Sequence, residues 1–243
     1  MNIRLAKFED LTPSTLPFVE GKLKGHKERK NYSILGPGVA EDANQSIKIS
    51  EPHGFNLGAV SAKPLNGSGL HSHLTAEVFI IYSGKWRFYW GSKGEDETIL
   101  NPGDIISMPT NMFRAFENVG DEEGLIFVVL GGDDPGIVTW IPEVLKKAKQ
   151  TGMALLDDNS LIDLNSQDIP NGRKLLDPIS KDEITKFDKP TIFFSQKGKW
   201  NIETDNSSIE LDYKDTFSVP VGSNISIKIE EKNESLLNCV SQI

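Results

Sequence analysis

From Gly54 to Leu130 the chain is written in short runs of strand-forming residues, each cut off by a turn. Gly54–Val60 alternates, Pro64-Leu65-Asn66-Gly67 turns, and Leu70–His73 follows. Val78–Tyr82 is a continuous apolar run, the pattern of a strand packed on both faces. Ser83-Gly84-Lys85 turns it into Trp86–Trp90, and Thr98–Leu100 leads to Asn101-Pro102-Gly103-Asp104. That turn is strong because proline presets φ and glycine tolerates φ > 0. Ile105–Met108, Met112–Asn118 and Leu125–Leu130 complete the series. Strands about eight to twelve residues apart, joined by Gly/Pro turns, read as an all-β barrel or sandwich.

The rhythm breaks after Gly131, and Ile141–Gly152 is the best helix signal in the chain. Pro142 suits the first helical position, Glu143 complements the positive N-terminus, and Lys146, Lys147 and Lys149 sit toward the negative end. Gly152 can close the helix in the left-handed conformation, and Val144, Leu145 and Ala148 form its apolar face. The β rhythm resumes at Pro190 with Thr191–Ser195, Gly198–Ile202, Ser208–Leu211, Tyr213–Gly222 and Ile225–Ile229. Asp215–Gly222 parallels Asp104–Pro109, an acidic turn, a strand and then proline, which is a weak internal repeat. Residues 1–50 read as an extended arm with one or two strands, of the kind that drapes over a neighbouring barrel or subunit.

A formal charge of −9 argues against a nucleic-acid surface, which needs positive potential facing phosphates. The basic run Lys22–Lys30 is the local exception and reads as a solvated or subunit-contacting segment. Cys239 is the only cysteine, so neither an intrachain disulfide nor a thiolate cluster is available. Met1–Asp10 has no apolar core of signal-peptide length and no stretch approaches a membrane span, so a cytoplasmic protein without membrane contact is expected.

The four histidines stand at 26, 53, 71 and 73. His71 and His73 are i and i+2, so on a strand their rings share one face. Glu77 on a straight strand would lie roughly 13 Å beyond His73. The chain must therefore turn at Leu74-Thr75-Ala76 if the carboxylate is to join the rings. Two imidazoles and a carboxylate suit non-haem iron, manganese, nickel or zinc. An H-x-H pair by itself also occurs by chance on surface strands.

His71, His73, Glu77 and Gly84 fall on the positions of the first conserved motif of the cupins, G-x5-H-x-H-x3,4-E-x6-G, and the stretch resembles that family. Leu65 stands where the leading glycine should be, so that Gly67 or Gly69 must serve. The second cupin motif, G-x5-P-x-G-x2-H-x3-N, aligns from Gly103 through Pro109 to Asn118, with Arg114 at the histidine that supplies the fourth ligand. Arginine offers only donors and cannot ligate a metal. Three readings stay open. Either His71, His73 and Glu77 hold a divalent ion, iron first, while Arg114 clamps a substrate anion; or Arg114 pairs with Glu77 over a metal-free site; or His53 swings in as a replacement ligand. Phe116 shares the face of Arg114 and is expected to line the pocket, with Tyr82 as a further pocket residue and Tyr89 and Met108 as alternatives. Phe79, Trp86, Phe88, Trp90 and Phe113 are expected in the core.

The resemblance implies an all-β fold of double-stranded β-helix barrels, a bicupin with a histidine-free second barrel and one linker helix, similar to quercetin-dioxygenase-like cupins. The divisions expected are an arm (1–50), a metal-type barrel (51–135), a linker with helix (136–185) and a degenerate barrel (186–243). It also implies a metal-dependent oxidoreductase, dioxygenase-like, acting on a small anionic or phenolic compound, with Arg114 and Glu77 as catalytic groups and a homodimer as the assembly. The competing expectations are a non-catalytic small-molecule sensor and a metal-dependent sugar isomerase or epimerase.

Overall fold

The computed structural model describes residues 4–176, 184–186, 191–197, 199–204, 208–212, 215–221, 224–229 and 236–241. Pro190, Gly198, Tyr213 and Gly222, which bound strands expected in the second half, lie outside the described residues. The chain divides into two compact units, Met1–Asp177 and Pro178–Ile243.

The first unit runs β1 (Arg29–Leu35), β2 (Ile47–Ile49), β3 (Phe55–Ala62), β4 (Gly67–Ser72), β5 (Glu77–Ser83), β6 (Trp86–Trp90) and β7 (Asp96–Leu100). It continues with β8 (Ile105–Met108), β9 (Arg114–Asn118), β10 (Gly124–Gly131), β11 (Thr139–Trp140), helix α1 (Pro142–Gln150), β12 (Met153–Leu155) and β13 (Leu161–Asp163). Two sheets, β2-β1-β3-β10-β5-β8 and β11-β4-β9-β6-β7, make up the double-stranded β-helix. The inward residues of β3, β5, β6, β8, β9 and β10 form one core that includes Val60, Phe79, Ile81, Trp86, Phe88, Met108, Phe116, Ile126 and Val128. Phe79 packs at 4.9 Å from Phe88 and 5.5 Å from Phe116, in the tilted and edge-on geometries that aromatic quadrupoles prefer.

One expectation is corrected here. Val78–Tyr82 does not pack on both faces: burial alternates along β5, and Tyr82 is 66% exposed. β5 belongs to a sheet packed on one side, and Tyr82 rests edge-on against Phe127, 5.8 Å away, on the outer side. Residues 1–50 carry two strands, β1 and β2. β1 pairs along most of β3, and Phe8 from a 3₁₀ turn meets Tyr32 at 4.9 Å. Helix α1 begins at Pro142 and buries Val144 and Ala148 against Phe18, Val138, Trp140 and Met153, with Gly152 at φ 84° just beyond its end.

In the second unit, β14 (Ile184–Lys186), β15 (Thr191–Lys197), β16 (Trp200–Thr204), β17 (Ser208–Leu211), β18 (Thr216–Val219), β19 (Asn224–Ile229) and β20 (Leu236–Ser241) form two sheets, β14-β19-β16-β17 and β18-β15-β20. These pairings repeat those of β4 to β10 one for one. β15 holds β18 and β20 as β5 holds β8 and β10; β16 holds β17 and β19 as β6 holds β7 and β9; β14 adds to β19 as β4 adds to β9. The Asp104 and Asp215 segments thus open equivalent strands, β8 and β18. Phe193, Trp200, Ile202, Leu211, Val219, Ile225 and Ile227 are the core of this unit.

The glycine position taken by Leu65 keeps a glycine's backbone, with φ 60°. Left-handed φ crowds a Cβ against the following carbonyl, at about 1–2 kcal/mol for a non-glycine residue. The Leu65 side chain is exposed and recovers little by packing. Leu65→Gly is therefore expected to stabilise the protein by about 0.5–1 kcal/mol after glycine's larger unfolded-state entropy is subtracted. Urea denaturation checks this, and a lower midpoint in the variant would contradict it.

Candidate metal centre

Every residue of β4 is buried, although the strand carries Ser68, His71 and Ser72. Its ladder to β9 shifts register between Ser68 and His71, where two side chains take over the backbone groups of Gly69. Glu20 accepts the Gly69 N–H at 2.7 Å, and the His71 ring lies with Nδ1 2.8 Å from the Gly69 carbonyl. A carbonyl can only accept, so His71 carries its proton on Nδ1 and leaves the Nε2 lone pair as the ligand atom, the tautomer a metal-bound imidazole needs.

The turn demanded by Glu77 is present. β4 ends at Ser72, the chain bends through 74–75, and Glu77 is the first residue of β5. His73 Nε2 then lies 3.2 Å from Glu77 Oε2, and the His71 and His73 ring centroids are 6.1 Å apart. His71, His73 and Glu77 are all buried, and one ligand atom from each lies within 4.8 Å of the others. Burial pushes the His71 imidazole down to about 4, with the Arg114 charge adding to it, so the ring is neutral at physiological pH. Burial pushes the Glu77 carboxyl up, but its hydrogen bond with His73 and the Arg114 charge outweigh it, leaving Glu77 below its ordinary value.

Arg114, on β9 opposite His71, is fully buried at 0% exposure. Its Nε donates to Glu77 Oε2 at 3.1 Å, Nη1 donates to the Met112 carbonyl at 2.8 Å, and Nη2 meets the His73 ring nitrogens. All three guanidinium nitrogens are therefore engaged within the cluster. The donor set fits a divalent cation, with two imidazoles and an ionised carboxylate in a dry pocket.

A mostly apolar cavity of about 680 Å³, counting its open mouth, runs beside the cluster. His71, Glu77, Phe79, Phe116, Val128, Leu130 and Trp140 line it. Phe116 lies where the period-2 argument places it. Tyr82 does not reach the cavity, because it sits on the outer face of β5. His53 is remote from the cluster: it is exposed in the turn before β3, hydrogen-bonded to Arg4 at 3.1 Å.

Three participants were not singled out in the sequence. Trp140, on β11, packs at a tilt against His71 with centroids 5.3 Å apart and donates its indole N–H to Glu41 at 2.6 Å. Glu20 and Arg29 form a buried pair at 2.8 Å. Arg29 belongs to the basic run expected to be solvated or subunit-contacting, and it is 2% exposed. No signal in that run separates it from its neighbours, because the partner that permits its burial lies nine residues earlier and across the fold.

The depressed His71 pKa makes a stability prediction. As pH falls from the ordinary imidazole value of 6.5 toward about 4, the unfolded chain takes up a proton at His71 that the folded protein refuses. Stability from this group is complete above pH 6.5 and lost on the way down to 4, on the order of 3 kcal/mol in total. Glu41, whose carboxyl burial pushes up to about 8, slopes the opposite way and is common to any His71 variant. In chelator-treated protein, denaturation free energy should therefore fall less steeply from pH 6.5 to 4.5 in His71→Gln than in the parent. Parallel slopes would refute the neutral buried assignment.

With the geometry in hand, residues 59–130 match the family model described as Cupin domain. No curated protein matches the chain. Among solved structures, DMSP lyase DddQ from Ruegeria pomeroyi DSS-3 is 18% identical, over 47% of this chain and 52% of that one, with a TM-score of 0.39. Oxalate oxidase in complex with the substrate analogue glycolate is 18% identical, over 38% of this chain and 48% of that one, with a TM-score of 0.34. The polyketide cyclase RemF from Streptomyces resistomycificus is 14% identical, over 58% of this chain and 86% of that one, with a TM-score of 0.44. The alignment to the DMSP lyase spans about half the length of that protein. No described helix is long and apolar enough to cross a membrane. The matched segment, its two glycine-punctuated motifs and the two-sheet barrel around a buried His-His-Glu cluster identify residues 59–130 as a cupin domain.

Proposed function

We propose that the protein is a metal-dependent cupin that acts on a small anionic or phenolic organic compound, with dioxygenase-like oxidoreductase chemistry as the reaction class. The observation that carries this reading is the convergence of buried His71, His73 and Glu77 on the wall of a mostly apolar cavity. His71 Nε2, a nitrogen of His73 and a Glu77 carboxylate oxygen would hold the ion. An open-sided ion of this ligand class supplies Lewis acidity and, if iron, one-electron chemistry. The chain's own residues do the rest. Trp140 and Gly69 orient His71, the apolar walls exclude water, and Glu77 stays ionised. A neutral His71 and an anionic Glu77 balance the charge of Arg114, so the cluster offers a cation a near-neutral, dehydrated site.

The second unit, on this reading, is a second cupin barrel without metal. The one-for-one repeat of strand pairings supports it, and the absence of histidine beyond position 73 removes the ligand type.

One observation favours a second reading, a metal-free small-molecule binding cupin: Arg114 already neutralises Glu77 at 3.1 Å. The two readings separate by elemental analysis of protein purified without a histidine tag. The metal reading expects about one divalent ion per chain and a melting temperature raised by added Fe(II), since a ligand at about 100 times its Kd stabilises by about 2.7 kcal/mol. His71→Ala and His73→Ala should each abolish occupancy and keep the β-type circular dichroism spectrum. Full occupancy in either variant would reject the ligand assignment. An unresponsive parent protein, together with a large loss of stability in Arg114→Gln from stranding a buried carboxylate, would establish the metal-free reading.

A further inference from the structure

We propose that Arg29, rather than Arg114, is the residue that binds a carboxylate in this cavity, and that the ligand is an organic acid whose carboxylate is joined to an apolar or aromatic body. The inference rests on the reading of the cavity as the ligand site and goes beyond it in naming the recognising group.

Arg29 lies on β1, lines the same cavity as His71 and Glu77, and is 2% exposed. Its guanidinium is held in place from one side only. Nη1 donates to Glu20 Oε1 at 2.8 Å and to the Gly67 carbonyl at 2.7 Å, and the plane sits over the Phe18 ring at 5.2 Å. Nε and Nη2 are buried and have no hydrogen-bond partner among the described residues. These two nitrogens share one edge of the guanidinium, with parallel N–H bonds, and that fork matches the two oxygens of a carboxylate. A buried charged group with two unmet donors is costly, and natural structures rarely keep one without a use.

Two residues along the same strand, Asn31 also lines the cavity, and its side-chain oxygen is likewise buried without a partner among the described residues. Residues i and i+2 of a strand share a face, so one strand presents a fork of donors and an acceptor together. A hydroxyl or N–H close to the carboxylate would satisfy the acceptor. The remaining walls, Val60, Phe79, Phe116, Val128, Leu130 and Trp140, call for an apolar body.

Glu20 neutralises Arg29, and burial keeps the neighbouring Glu41 carboxyl protonated at neutral pH, so an incoming anion meets no added negative charge from Glu41. A chain of hydrogen bonds joins the two parts of the site. Arg29 binds Glu20, Glu20 binds the Gly69 N–H, and the Gly69 carbonyl binds His71. Arg114 has no free edge to offer in comparison.

The test uses benzoate and its neutral analogue benzamide, titrated calorimetrically into full-length, chelator-treated protein, so that the outcome does not depend on metal. The parent should bind benzoate in preference to benzamide. Arg29→Gln should weaken benzoate about tenfold or more, the loss of a charge-assisted bidentate contact, and leave benzamide within about twofold. Arg29→Lys guards against misfolding, because it keeps the charge beside Glu20 and removes only the fork; it should lose most of the benzoate preference with a melting temperature near that of the parent. A parent that binds benzoate no better than benzamide overturns the proposal, as does unchanged benzoate affinity in folded Arg29→Lys. Metal content, measured on the untreated protein, reports separately on the metal reading.

Discussion

The first unit depends on the burial of β4, a strand too polar to be buried without help. Gly67, Ser68, Gly69, His71 and Ser72 place backbone and side-chain polar groups where water cannot reach them. Each such group must find a partner inside the protein or cost as much as a lost hydrogen bond. Where the ladder to β9 shifts register, Glu20 takes the Gly69 N–H, the His71 ring takes the Gly69 carbonyl, and Arg29 takes the Gly67 carbonyl. Gly67 has no alternative, because a Cβ there would lie 1.8 Å from the Phe116 carbonyl oxygen. Side chains that complete β4 are therefore the same ones that shape the cavity.

Two buried arginine–glutamate pairs result, with opposite character. Arg114 and Glu77 are closed on each other, with His73 and the Met112 carbonyl meeting the rest of the guanidinium. Arg29 and Glu20 are closed on one side only. Desolvation makes either pair expensive, and what offsets that expense is full hydrogen bonding. The closed pair meets this condition within the protein. The open pair leaves Nε and Nη2 of Arg29, a cavity-lining residue, without a partner among the described residues, and that separates two arginines that are both buried.

Strand order and the helix were legible because their signals are local. Trp86–Trp90 and Ile105–Met108 are strands over the spans their turns enclose, and α1 starts at Pro142 as its capping pattern requires. Tyr82 was misread because a run of apolar residues is the same in a strand covered on both faces and in one whose outer face is open to Tyr82 and Phe127. Leu65 shows the reverse case. The sequence departs from the family pattern, yet the backbone keeps φ at 60°, because the turn and not the residue sets the conformation.

The sequence by itself determined which groups could converge: histidines two apart on a strand share a face, and a carboxylate four residues on can reach them only through a turn. It also determined that Arg114 could not be a ligand, from side-chain chemistry. What only the tertiary structure decided was which of the two buried arginines keeps unpaired donors. Arg114 met Glu77 through the β4–β5 turn and the β4–β9 pairing, whereas Arg29 was drawn out of a basic surface-like run by Glu20 and the backbone of β4. A guanidinium's availability depends on which of its donors are already met, and those partners come from strands distant in the chain.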